Sequence, residues 1–221
     1  TGNKNVGLGY QTGFSNTTGS GKVAIGYLAG YSGTTTSDQT FIGREAGKSV
    51  VSSALVSIGA YSALNVVNLT NSTLIGYAVM SSSSAASTVD NAVIIGYQAG
   101  RYIEGGQYNT AIGSVAMSGR LSPLTQNTGG RNTAIGWSSL RYNTTGASNV
   151  AIGAVAAQFN SSGIYNVAIG DSSLFANTTG SYNLGIGTLA LNLNSAGNNN
   201  VAMGISALQN STSDNNSAVG Y

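Results

Sequence analysis

One short pattern, N-[VT]-A-I-G, recurs thirteen times and constrains the fold more than any other feature of the chain. Its glycines are Gly9, Gly26, Gly43, Gly59, Gly76, Gly96, Gly113, Gly136, Gly153, Gly170, Gly187, Gly204 and Gly220. Eight of the twelve intervals equal that from Gly9 to Gly26; two are longer, those from Gly76 to Gly96 and from Gly113 to Gly136. The residue before the glycine is always aliphatic, and ten of the thirteen are isoleucine. Three before it stands a β-branched residue in most units, two before it a small one, and four before it an Asn in eight. Turn chemistry follows, as in Asn143-Thr144-Thr145-Gly146 and Asn177-Thr178-Thr179-Gly180. Two short β-runs and two turns within one such interval cannot make a domain, but they can make one coil of a solenoid. A helical repeat is excluded, because β-branched residues and glycine recur at the same place in every unit.

The expected fold is all-β: a parallel β-solenoid of about 13 coils, one repeat domain over 1-221, read as a segment of a longer fibre. At the usual strand spacing the rod is about 60 Å long. Strand alternation separates Val and Ile from Asn and Ala. The expectation is that Val and Ile fill the interior, with Ile25, Ile112, Ile135, Ile152, Ile169 and Ile186 as its core column. The small face at Ala111, Ala134, Ala151 and Ala168 then lies outside. A column of one Val and one Ile per coil is a thin core. Burying the alanine faces between three rods is the economical solution, so a trimer is expected.

Composition narrows the function. Charged residues make up 6% of the chain, against about 25% in an average domain. Histidine and cysteine are absent, which excludes disulfides, Cys/His zinc sites and imidazole-based catalytic triads. Eight basic and six acidic residues are too sparse for a nucleic-acid groove. No stretch is apolar for long enough to enter a membrane as a helix. The expectation is therefore not an enzyme, with no cofactor, no metal, no nucleic acid and no direct membrane insertion by this segment.

The runs Asn132-Thr133-Ala134-Ile135-Gly136, Asn149-Val150-Ala151-Ile152-Gly153 and Asn166-Val167-Ala168-Ile169-Gly170 resemble the head repeat of trimeric autotransporter adhesins, the YadA-like head. With Gly96-Tyr97-Gln98-Ala99 and Gly26-Tyr27-Leu28-Ala29 they equally resemble repeats of phage tail fibres. The adhesin repeat is somewhat shorter than the one in this chain. The resemblance implies a left-handed β-roll trimerised about a long axis, extracellular, on a bacterial cell surface or a virion tail fibre. The function expected is a structural and adhesive segment of such a fibre, attaching to a host or target cell through a surface glycan or protein. An inert spacer shaft of a phage tail fibre is the alternative, and an ice-binding β-solenoid a third.

Several surface features are candidates for contact. Tyr10, Tyr27, Tyr77, Tyr97, Trp137 and Tyr221 follow a motif glycine directly, as either a stacked ladder or a sugar-stacking row. Lys48, Arg101 and Arg141 each stand five after one and could share an edge. The acids Asp38, Glu45, Asp90, Glu104, Asp171 and Asp214 are scattered. The longer intervals place insertions at Ser81–Asp90 and Ser118–Gly130, expected as protruding loops. The second holds the only proline and an apolar Leu-Ser-Pro-Leu run. Arg120, Leu121, Pro123, Leu124 and Arg131 are therefore the candidate partner contacts, or else a staple between neighbouring chains.

Overall fold

A computed structural model describes residues 2–81, 89–119 and 127–221. Among them, each repeat contributes one short strand, from β1 (Val6–Leu8) to β13 (Ser217–Val219). The thirteen strands pair in chain order, all parallel, in one sheet. The register is the register of the motif: in β9 (Val150–Ile152) and β10 (Val167–Ile169), Val150 faces Val167, Ala151 faces Ala168 and Ile152 faces Ile169. The chain is a β-solenoid with one strand per coil.

Coil-to-coil pairing does not stop at the strand. The turns bond as well, as in Gly13 N to Ala29 O (2.9 Å), Thr17 N to Thr34 O (2.8 Å) and Thr178 N to Ser195 O (2.8 Å). Backbone groups around much of the coil are thus satisfied by the next coil, as buried amides must be. Closing so small a coil requires corners with left-handed backbone. These fall two residues after the motif glycine (Leu28 at φ 55°, Val155 at 49°), four after (Leu140 at 45°) and five before (Arg131 at 59°, Tyr165 at 55°). Each such non-glycine corner costs about 1 kcal/mol or more and persists only because the stacked coils over-determine it.

The motif glycine has a stricter role. Gly170 sits at φ +129°, and a Cβ there would lie 2.6 Å from the backbone carbonyl of Gly187 in the next coil. The column of motif glycines is where successive backbones come closest.

The interior is the reverse of the arrangement expected. In most strands a small central residue points in: Ala24 and Ala202 are buried, and Ala111, Ala134, Ala151 and Ala168 are fully buried. Val and Ile point out. The column opposite the strand explains why. Four residues after the glycine stands Leu140, Leu174 or Leu191, also fully buried, and that side chain leaves room only for alanine or glycine across from it. Where the strand residue is large, its counterparts shrink. Phe41 lies against Gly30 and Gly47, and a Cβ on Gly30 would stand 2.6 Å from the Phe41 ring. Ile94 lies likewise over Gly100, at 2.9 Å from such a Cβ.

The recurrent geometry of the coil also draws its Asn inward. Asn109, Asn132, Asn149, Asn166, Asn183 and Asn200 are buried, and each Oδ1 accepts the backbone N–H of the next member at 2.9–3.0 Å. Each Nδ2 of Asn149, Asn166 and Asn183 donates to a turn carbonyl at 2.8 Å: Gly163, Gly180 and Gly197. A second column runs through the turn asparagines Asn143, Asn160, Asn177 and Asn194. Asn166→Ala removes three bonds and leaves the Asn183 N–H unpaired, while the Gly180 carbonyl keeps only its bond from Asn177 Nδ2, so we expect a loss of about 1–3 kcal/mol on denaturant unfolding. Gly170→Ala should lower the melting temperature far more than Gly220→Ala. Both have φ near +130°, but a Cβ on Gly220 meets nothing within 4 Å.

Candidate functional surfaces

With alanine inside, the outer face of the sheet carries two aliphatic columns. One runs Val6, Val23, Thr40, Val56, Thr73, Val93 and on to Val201; the other runs Leu8, Ile25, Ile42 and on to Met203. Ile25, Ile112, Ile135, Ile152, Ile169 and Ile186 are stacked in register, yet half-buried rather than enclosed. They are not the coil's core; period-two alternation puts them on the face opposite the buried alanines. Along this face Val93 remains 38% exposed, Ile75 36% and Met203 41%. No charged residue occurs in either column.

The tyrosines after the glycine form a surface ladder over the first six coils. Tyr10 and Tyr27 stack at 5.4 Å, and Tyr77 and Tyr97 at 5.6 Å. Arg44 fills the rung between, its guanidinium 5.8 Å from the Tyr27 ring and 5.5 Å from Tyr61, which meets Tyr77 edge-on at 5.7 Å. The ring faces are thus largely turned on one another, leaving edges to solvent. Trp137 and Tyr221 are exposed and lie away from the ladder.

A second aromatic group emerges only from the stacked coils. Tyr142 and Phe159 stack at 5.1 Å and Phe159 meets Phe175 edge-on at 4.9 Å. They stand six, six and five residues after their glycines, so no single offset in the sequence aligns them. With Thr144, Ser161, Ala176, Thr178 and Thr179 they line a surface groove of about 470 Å³.

The charged side chains serve local roles. Glu45 pairs with Lys48 at 3.0 Å and lies 3.7 Å from Arg44. Asp90 Oδ1 accepts from the Thr70 N–H (2.9 Å) and hydroxyl (2.6 Å), and Asp214 Oδ1 accepts from the Asn198 N–H (2.7 Å). Lys48, Arg101 and Arg141 occupy one offset but not one stripe. Intervening coils carry Leu64, Ser81 and Ser118 there, while Arg101 lies over Tyr102 and Arg141 over Tyr142. No cluster of three Asp or Glu side chains able to hold a metal occurs among the described residues.

Of the expected contact residues, Arg120, Leu121, Pro123 and Leu124 lie outside the described residues, as does most of the Ser81–Asp90 insertion. Arg131 is exposed at a left-handed corner, its N–H donating to Gln107 O at 2.9 Å. Gly106, Gln107, Tyr108, Gly130 and Ala147 complete a shallow pocket beside it. No helix among the described residues is long and apolar enough to cross a membrane. Compared with known proteins, the chain matches no family model, no curated sequence and no solved structure.

Among the described residues, one charge lies in the interior. Lys22 takes the place of the inward Asn in its coil, is 2% exposed, and donates from Nζ to the Gly33 carbonyl at 3.0 Å. Burial pushes its pKa below the ordinary 10.5. The unfolded chain therefore binds the proton more tightly than the folded one, and stability rises as pH climbs through the folded pKa toward 10.5. Lys22→Asn, which removes the ammonium, should show no such rise. The difference in unfolding free energy between variant and wild type should shift toward the wild type as pH climbs through the folded pKa to 10.5.

Proposed function

We propose that this chain is a rod-forming segment of a trimeric extracellular fibre, its copies meeting along the Val/Ile face of the sheet. The observation that carries the reading is the uncharged isoleucine column, which runs the length of the rod and remains partly open to solvent in the single chain. At one strand spacing per coil it spans about 60 Å, more than a lone soluble rod exposes as one apolar strip. A strip of constant width invites an equally long partner, and a second copy in register supplies one. Closed symmetric association buries it without leaving an open end for further growth. The resemblance of the Asn-Val-Ala-Ile-Gly runs to trimeric adhesin heads favours three copies and a left-handed roll. The interface is thus the Ile/Val face and not the alanine face.

The segment's role in the fibre is structural and adhesive. Rows of related outer side chains run over several coils at a time, so weak contacts multiply along the rod and avidity replaces a single deep site. Cell binding by the isolated segment supports that role, whereas a rod that fails to bind is a spacer.

Light scattering tests the assembly. The expected mass is about three times the chain's 22.1 kDa. Ile152→Asp with Ile169→Asp should yield monomers that keep the wild-type circular dichroism, because both side chains lie outside the coil. A wild-type monomer at micromolar concentration, or a double variant that stays trimeric, contradicts the proposal.

A further inference from the structure

We infer that the groove over coils eight to ten takes a neutral glycan chain lying parallel to the rod axis. The inference rests on the reading of the rod as an attachment segment, and it names the ligand class. The groove's floor is aromatic: Tyr142 and Phe159 at an interplanar angle of 29°, then Phe175 turned to 86° from Phe159. In the Tyr10–Tyr97 ladder, the rings are mostly parallel and occupy one another's faces. Here the turn at Phe175 breaks the stack, so ring faces and edges both border the 470 Å³ groove. Such a floor suits the C–H faces of pyranose rings, which stack on aromatic planes.

The wall is a rail of hydroxyls, one per coil: Thr144, Ser161 and Thr178. The Thr144 hydroxyl donates to Ser161 O and the Thr178 hydroxyl to Ser195 O, each at 2.8 Å. The Thr144 and Thr178 protons are thus committed to backbone and the Ser161 hydroxyl pairs with Thr144 Oγ1 at 3.1 Å, which leaves the oxygens as acceptors toward the groove. The ligand must therefore bring donors at the spacing of the rungs, about 4.8 Å. A pyranose chain advances by close to one rung per sugar and carries hydroxyls on each. An extended peptide presents donors on one side only every second residue, about 6.6 Å apart, and falls out of step after one rung.

Charge selects the neutral members of this class. None of the lining residues is charged; the charges that flank the groove are Asp171, directly after a motif glycine, and Arg141 at one end, whose guanidinium is engaged over the Tyr142 ring at 5.1 Å. Beyond that one engaged cation at the end, sulfated or sialylated chains would find no counter-charge along the groove. The lining residues follow their glycines by five to nine positions. They lie past the corners of the coil, off the Val/Ile face, so assembly along that face leaves the groove open.

The test is retention on an array of neutral, sialylated and sulfated glycans, using the purified segment, Phe159→Ser and Thr178→Val. The wild type should be retained on neutral glycans. Phe159→Ser should weaken that binding about ten-fold, the loss of one aromatic stack. Thr178→Val, at an exposed position and nearly isosteric, should weaken it several-fold while mass and melting temperature stay unchanged. It decides the matter if Phe159→Ser fails to fold. Retention only on sulfated or sialylated glycans, no retention on neutral ones, or binding equal in wild type and Thr178→Val overturns the inference. A trimer that binds no neutral glycan overturns it while leaving the fibre reading standing. A monomer that binds them through Thr178 leaves it standing and overturns the trimer.

Discussion

Stacking so short a closed coil forces its backbone polar groups and its side chains into the same narrow interior. Along the axis the backbone meets the next coil at every rung. Across the axis there is room for only a few side-chain layers. The inward Asn columns resolve this constraint, because a carboxamide is short and both donates and accepts. Each Oδ1 takes the backbone N–H one coil on, and the Nδ2 groups from Asn109 to Asn183 each close a turn within reach. A buried polar group satisfied on both sides fixes register, since a slip of one residue would orphan a whole column at once.

The same narrowness sorts the apolar residues. Leu140, Leu174 and Leu191 fill the centre from the side opposite the strand, which limits the strand to Ala134, Ala168 and Gly185 there. Phe41 is admitted only because Gly30 and Gly47 give way. Val and Ile, which the strand needs for its own geometry, are left on the outside. An interior built from small and polar groups thus produces an exterior that is aliphatic along one face, and this links the coil's packing to the association we propose for it.

The period, the parallel order and the in-register motif were legible in the sequence because each is a property of spacing. Which face is buried was not. Alternation separates Ala151 from Ile152 but does not say which is inside, and hydrophobicity alone favours the larger residue. The deciding residues stand elsewhere in the unit, four after the glycine, where a fully buried Leu already occupies the space. Asn166 misleads for a related reason: a polar residue beside a turn is ordinarily solvated, and its bonding partners lie 14 and 17 residues away. The groove at Tyr142, Phe159 and Phe175 escaped because its rings come from unequal offsets and meet only once the coils are stacked.

The orientation of the Asn column is the point on which the rest depends, and hydrogen exchange followed by NMR reads it directly. The side-chain carboxamide protons of Asn149, Asn166 and Asn183 should exchange as slowly as the most protected backbone amides, since each lies in a buried bond to a turn carbonyl. Carboxamide protons that exchange at the rate of an unstructured chain would place these side chains in solvent. The small face would then be outside and the isoleucines inside, which contradicts a coil built on inward Asn and Ala.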